Sequence, residues 1–195
     1  MVRRLTPDGY RRMPWRNGGG TTTEITIAPE DASVAGTRFL YRVSIADVAA
    51  DGPFSRFEGY ERHIMLLAGG GMTLDCGEHG RIELRAPYEP RTFSGDWEVS
   101  GALLAGAVRD FNVIVDRAAA SATLEVLALE AAVTIPCDHG TVCIVYVLEG
   151  GLAGADCGDT LVTDAALQLV PRGNGGAARV AIARIVVNTA SSAAR

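Results

Sequence analysis

No lysine occurs in the 195 residues; all 18 basic side chains are arginine. Schiff-base chemistry, pyridoxal-phosphate anchoring and a lysine general base are therefore excluded. Any anion site must use arginine, whose planar fork grips a carboxylate through two parallel hydrogen bonds. Aromatic residues are sparse, at 6%. No apolar run approaches the ~18 residues of a membrane span. The arginines near the N-terminus have no apolar segment behind them, so no secretory signal is read. The net charge is −5 with no block of like charge, which argues against nucleic acid as a partner, because phosphate binding needs a clustered basic face. The pairs Arg3/Arg4 and Arg11/Arg12 are too short for a polybasic arm and are expected to be solvated. Cys76, Cys137, Cys143 and Cys157 form no CxxC pair and have no histidine at ligand spacing. Free buried thiols in a reducing cytoplasm are expected, with a disulfide as the alternative. The chain reads as cytoplasmic, with no membrane partner.

Glycine, by contrast, is plentiful, and the stretch Met13 to Thr26 (MPWRNGGGTTTEIT) carries three in a row. Beyond Gly18–Gly20, Ile25 and Ile27 alternate with Glu24 and Thr26, the period of a half-buried strand. The glycines are either a plain turn or a place where backbone N–H groups approach a ligand. A Walker loop is excluded because Thr21 follows where lysine is required, and the dinucleotide fingerprint is excluded by spacing.

Short strands cut by turn residues follow along the whole chain. Strands are expected at Thr22–Ala28, Phe39–Ile45, Arg62–Ala68, Met72–Asp75, Arg81–Arg85, around Phe93, and at Val99–Ala102, Leu103–Ala107 and Phe111–Val115. After Ala118 the pattern restarts with Leu124–Leu129, Ala132–Ile135, Cys143–Leu148, Thr160–Thr163, Leu167–Val170 and Val180–Val187. Only the Ala-rich patches near Ala118 and Ala131 compete as helix turns, and the tail from Asn188 is expected to fray. This spacing argues for sandwiches or barrels and against βαβ units. Ile-Met-Leu-Leu-Ala-Gly-Gly at 64–70 also parallels Val-Tyr-Val-Leu-Glu-Gly-Gly at 145–151, an internal repeat. The second copy, with Gly158-Asp159 and Leu169-Val170-Pro171, resembles the strand-turn pattern of the cupin barrel. The expected fold is all-β: a bicupin of two jelly-roll, RmlC-like barrels, 1–117 and 118–195, with strands open to exchange between them.

The chemistry is arginine-centred. Metal cupins pair two histidines one residue apart, whereas His63, His79 and His139 are scattered, so no metal and no cofactor is expected. No G-x-S-x-G elbow supports a nucleophile. Arg42 and Ser44 lie opposite four apolar residues, and Arg62 shares parity with Ile64. If those faces line a barrel lumen, each arginine needs a carboxylate, either from the protein (Glu24 or Asp110) or from a ligand. Plain surface polarity is the remaining alternative.

Taken together, MPWRNGGGTTTEI at 13–25, ADGPFSRFEGYERHIMLLAGGG at 50–71 and FSGD…LLAGAVRDFNVIVDR at 93–117 resemble the HutD/Ves family, in order and over most of residues 13–117. The second half matches only in strand pattern, and Glu61 stands where an aspartate is more usual. The resemblance implies a bicupin from the bacterial cytoplasm, in a branch tied either to histidine utilisation or to stress response. It also implies a non-enzymatic role: binding a small acidic metabolite such as urocanate or formylglutamate. Carried over by motif, the ligand-binding candidates are Asn17, Gly19, Thr21 and Glu24, then Phe54, Ser55 and Arg62, then Asp110 and Asn112; Arg42 joins them by strand parity. The alternatives are a metal-independent isomerase or hydrolase acting on a small carboxylate, with Glu24 or Asp110 as general base, and a metal-dependent cupin enzyme. Edge pairing of such sheets is compatible with a homodimer, which the sequence does not specify.

Overall fold

A computed structural model describes residues 1–33, 38–172 and 176–188. Strands dominate; among the described residues the helical pieces are two 3-10 turns, Pro7–Gly9 and Gly77–His79. The chain divides into two compact units, Arg11–Ala118 and a second made of Met1–Tyr10 with Ala119–Arg195. Among the described residues no helix is long and apolar enough to cross a membrane.

The first unit carries a six-stranded sheet in the order Arg11–Pro14, Gly20–Ala28, Tyr41–Val48, Val108–Asp116, Tyr60–Gly69, Arg91–Ser94. A four-stranded sheet runs Gly52–Pro53, Ser100–Leu103, Met72–Asp75, Arg81–Leu84. The last two of these flank the Gly77–His79 turn as the expected hairpin. Tyr41–Val48, Tyr60–Gly69 and Val108–Asp116 are buried along most of their length, so the polar residues that alternate with their apolar ones, Arg42, Ser44, Arg62, Asp110 and Asn112 among them, are buried too. Antiparallel register stacks their inward side chains in rows. Arg42, Ile114, Arg62 and Phe93 form one row; Ser44, Asn112 and Ile64 the next; Ala46, Asp110 and Leu66 the third. Beyond the third row the same face turns apolar, with Val48, Val108, Met72, Leu74 and Leu84 packed together. The lumen therefore grades from a dry end to a polar one.

Two irregularities matter. The register slips by one residue between Glu24 and Thr26, so that Glu24 faces Ser44 while Ile27 faces Arg42. Such a bulge moves the side chains beyond it to the other face, so the expected split of Ile25 and Ile27 from Glu24 fails. Gly20 lies where an added Cβ would strike the Asp47 carbonyl and the Trp15 ring, which ties the glycine run to its neighbouring strand.

In the second unit a five-stranded sheet runs Arg3–Leu5, Thr160–Thr163, Thr141–Glu149, Ala178–Val187, Ala120–Leu129. The first ten residues, assigned from sequence to the 1–117 barrel, thus run in this unit. Arg4 is exposed, as expected, but it is also engaged: its Nη2 lies 2.6 Å from Asp159, whose side chain is 3% exposed. The repeat is a real structural correspondence. Gly69 and Gly150 both have positive φ, +106° and +70°, and in each an added Cβ would meet the backbone of the next strand over. Where Leu66 and Ile64 face Asp110 and Asn112 in one unit, Val147 and Val145 face Val180 and Ile182 in the other. The second unit's core cluster is apolar throughout.

Several local expectations need correcting. The strand expected over Leu103–Ala107 stops at Leu103, and the Ala-rich patches at Ala118 and Ala131 are turns and bends between strands. The thiols are all free, but Cys157 is exposed and Cys137 half-buried; Cys76 and Cys143 alone are buried. Residues 34–37 and 173–175, in two of the expected loops, and 189–195, in the tail expected to fray, lie outside the described residues.

Candidate functional site

A cavity of about 380 Å³ opens at the polar end of the first unit's lumen. Arg62 is its central cation. The side chain is buried at 5% exposure, with the guanidinium carbon 4.9–5.5 Å from the ring centres of Phe54, Phe57 and Phe93. Nη1 donates to the Ser55 carbonyl (3.1 Å) and Nη2 to Asn112 Oδ1 (2.9 Å). Nε is buried and donates to nothing. Among the described residues no carboxylate stands within ion-pair distance of Arg62. Burial lowers its pKa to about 10, with Asp110 pulling up and Arg42 pushing down, so the group stays cationic at neutral pH. A buried cation in an aromatic box, with donors to spare, is suited to an anion.

Asp110 stands behind this arginine. It is completely buried, with one oxygen accepting from Asn112 Nδ2 and Oδ2 left without a partner. Desolvation raises its pKa to about 7, against the opposing pull of Arg62 and the Asn112 hydrogen bond. The Asn112 amide therefore bridges cation and acid, accepting from one and donating to the other.

Arg42 is arranged differently. Its Nε donates to Glu24 Oε2 at 2.6 Å, and the two side chains are 7% and 10% exposed. This is the internal salt bridge that sequence left open as one alternative. His63 lies at hydrogen-bond distance from Thr92 Oγ1 (2.8 Å) and has Nε2 3.3 Å from Glu61; burial lowers its pKa. Among the described residues no three His, Cys, Asp or Glu side chains cluster as a metal site.

Of the sequence candidates, Asn17, Arg42, Phe54, Ser55, Arg62 and Asn112 line the cavity. Glu24 and Asp110 do not line it; they hold Arg42 and Asn112 from behind. Thr21 falls on the opposite parity from Thr22 and is absent from the lining. Gly19 borders a much smaller neighbouring void. Of the two readings of the glycine loop, the hydrogen bonds favour the plain turn: Gly18 N–H bonds the Trp15 carbonyl and Gly19 N–H bonds Asn17 Oδ1. Sequence reading missed Trp15, Thr22 and Phe57. Thr22 could have been found by its parity with Glu24, and Phe57 by its spacing from Phe54. Trp15, whose indole N–H is held by Thr22 Oγ1 at 2.8 Å, gave no signal of its own.

The HutD family model matches residues 8–176. The chain belongs to the HutD family. An uncharacterized 21.2 kDa protein from the hutC 3′ region of Pseudomonas putida is 47% identical over 111 residues, 56% of this chain and 56% of that protein. That match spans about half the relative's length, and it links the family to histidine-utilisation genes. HutD from Pseudomonas fluorescens SBW25, solved in a formate condition, superposes with a TM-score of 0.78 at 31% identity, covering 96% of this chain and 100% of the other. A conserved protein of unknown function from Pseudomonas aeruginosa PAO1 gives 0.84 at 32% identity, covering 95% and 99%. Likeness in fold alone reaches a bacterial pirin from Escherichia coli, at 11% identity and a TM-score of 0.65 over 94% and 98%. The fold is all-β and cupin-like.

Proposed function

We propose that this HutD-family chain is a non-enzymatic binding protein for a small carboxylate. Its ligand is an acidic intermediate of histidine utilisation such as urocanate or formylglutamate, and occupancy of the site modulates that pathway. The observation that carries the reading is Arg62: a buried cation lining a cavity, with a fully buried Nε that bonds nothing and no carboxylate paired to it among the described residues. A buried charge without its counter-ion is costly, and an entering carboxylate supplies that counter-ion. The walls formed by Phe54 and Phe57 suit a flat, unsaturated or compact organic anion. The competing reading, a metal-independent isomerase or hydrolase, has less support: Glu24 is held by Arg42 and Asp110 lies behind Asn112, so neither candidate base lines the cavity.

The test is a thermal-shift titration with urocanate, formylglutamate, formiminoglutamate, glutamate and formate. A ligand at a hundred times its Kd stabilises by about 2.7 kcal/mol, roughly 5–11 °C for a chain of this size. In Arg62→Ala the loss of charge-assisted hydrogen bonds costs about 2–3 kcal/mol or more, so affinity falls by roughly 30-fold or beyond. Arg62→Lys, which keeps the charge but not the fork, lies between. No shift with any of the five compounds overturns the proposal.

A further inference from the structure

We propose that anion binding at Arg62 is coupled to proton uptake by Asp110, so that occupancy of the cavity rises as pH falls. This rests on the carboxylate-binding reading above and adds a regulatory property to the same site. The geometry is a three-member relay. Arg62 Nη2 donates to Asn112 Oδ1, Asn112 Nδ2 donates to Asp110 Oδ1, and Asp110 Oδ2 is buried without a partner. A fully ionised aspartate in that place would leave a charged oxygen unsolvated.

The charges around Asp110 are few. On its own strand it meets Asn112, and Arg109 is engaged outward with Asp47 at 2.7 Å. From Tyr60–Gly69 comes Arg62, which favours the ionised form. From Tyr41–Val48 come Asp47, which opposes it, and Arg42, already held by Glu24 of Gly20–Ala28. The facing four-stranded sheet contributes Met72, Leu74 and Leu84 to the core, all apolar, with the buried Cys76 thiol beyond them, itself pushed up by burial. Among the described residues Arg62 is thus the one cation that stabilises Asp110 as an anion. A carboxylate bound on Arg62 takes up that charge and adds a second negative charge beside the acid. Asp110 responds by holding its proton to higher pH. One anion and one proton enter together, and the buried site stays near neutral.

The sign follows from linkage. Below the titration of Asp110 in the empty protein, near 7, the proton is already in place and affinity is flat. Above it, each pH unit lowers affinity by up to tenfold, until the acid ionises in the complex as well. The experiment is isothermal titration of formate, which stays ionised throughout, at pH 6.5 to 9 in two buffers of different ionisation heat that are not small oxyanions, HEPES and Tris. The expected result is a binding heat that depends on the buffer above pH 7, with uptake of up to one proton, and a several-fold loss of affinity between pH 7 and 9. Asp110→Asn keeps the amide bridge to Asn112, removes the buffer dependence and flattens the pH profile. Formate binding with identical heats in both buffers overturns the coupling and leaves the binding reading intact. No binding at any pH overturns both. If Asp110→Asn does not fold, the carboxyl carbon-13 titration of Asp110 in the wild type decides, by rising on formate addition or staying where it was.

Discussion

Replacing Glu24 by Gln tests the electrostatic layout of the cavity with one atom. The wild-type pair is nearly sealed from solvent, with Arg42 Nε 2.6 Å from Glu24 Oε2. Glutamine keeps the shape and one acceptor oxygen, so the hydrogen bond to Nε survives and only the counter-charge goes. Breaking a buried pair by removing one charge costs about 3–5 kcal/mol. Because Arg42 also borders the cavity, water relieves part of that, and the lower figure applies. About 3 kcal/mol lowers Tm by roughly 6–12 °C in a chain of this length. The same change sets a second cation free beside Arg62. One added charge-assisted hydrogen bond is worth about 1.5–3 kcal/mol to an anion, so formate should bind the variant at least about tenfold more tightly. The two effects have opposite signs.

The assay is a thermal melt of wild type and Glu24→Gln across a formate series. Without formate the variant melts well below wild type; as formate rises, the gap closes, because the ligand replaces the lost counter-ion. A variant whose Tm stays within about 2 °C of wild type would refute the buried ion pair as an energetic element. A gap that stays constant with formate would refute Arg42 as part of the anion site.

Three further outcomes follow from the local geometry. Gly20→Ala places a Cβ against the Asp47 carbonyl and the Trp15 ring; overpacking of this kind costs about 1–3 kcal/mol, and unseating Trp15 weakens formate binding as well, read by melt and titration. Gly18→Ala, at φ +72° in open space, costs about 1 kcal/mol from backbone strain alone and leaves binding unchanged. The triple variant Arg62→Met, Asp110→Val, Asn112→Ile is expected to melt above wild type and to bind no formate, since apolar replacement of buried charged groups is often stabilising by about 1–4 kcal/mol.

Much of this architecture was legible in the residues. Alternation and turn chemistry located most strands because antiparallel sheets with one apolar face write a period of two into the chain. Strand ends extended by one to a few residues beyond the apolar runs, as at Gly20 and Thr141, because backbone pairing continues after side-chain patterning stops. The bulge at Ile25 was not legible: a slipped register leaves the composition of the strand unchanged. Nor was the placing of residues 1–10, whose pairing partner Thr160–Thr163 is far away in sequence. At the cavity, arginine parity pointed to Arg42 and Arg62, and the salt bridge of Arg42 to Glu24 was one of the alternatives weighed. The role of Asp110 as an acid behind an amide, and of Trp15 as a wall held by Thr22, depends on three-dimensional closure that no spacing encodes.

The internal repeat separates what the scaffold needs from what the site needs. Both units use the same ladder of paired strands, with a glycine of positive φ at the same corner. In the second unit the positions facing Val147 and Val145 are Val180 and Ile182, all four apolar and buried, and the arginine one row on, Arg184, is paired with Glu125. In the first, the corresponding positions facing Leu66 and Ile64 are Asp110 and Asn112, with Arg62 one row on. At these two rows the same ladder folds with apolar residues where the first unit has the acid and the amide. Burying an arginine, an amide and an acid with unsatisfied atoms costs free energy that the fold does not require. Local departures from what folding favours belong to functional sites. The difference between the two halves of one chain is therefore the strongest structural reason to place the chemistry of this protein at Arg62, Asn112 and Asp110.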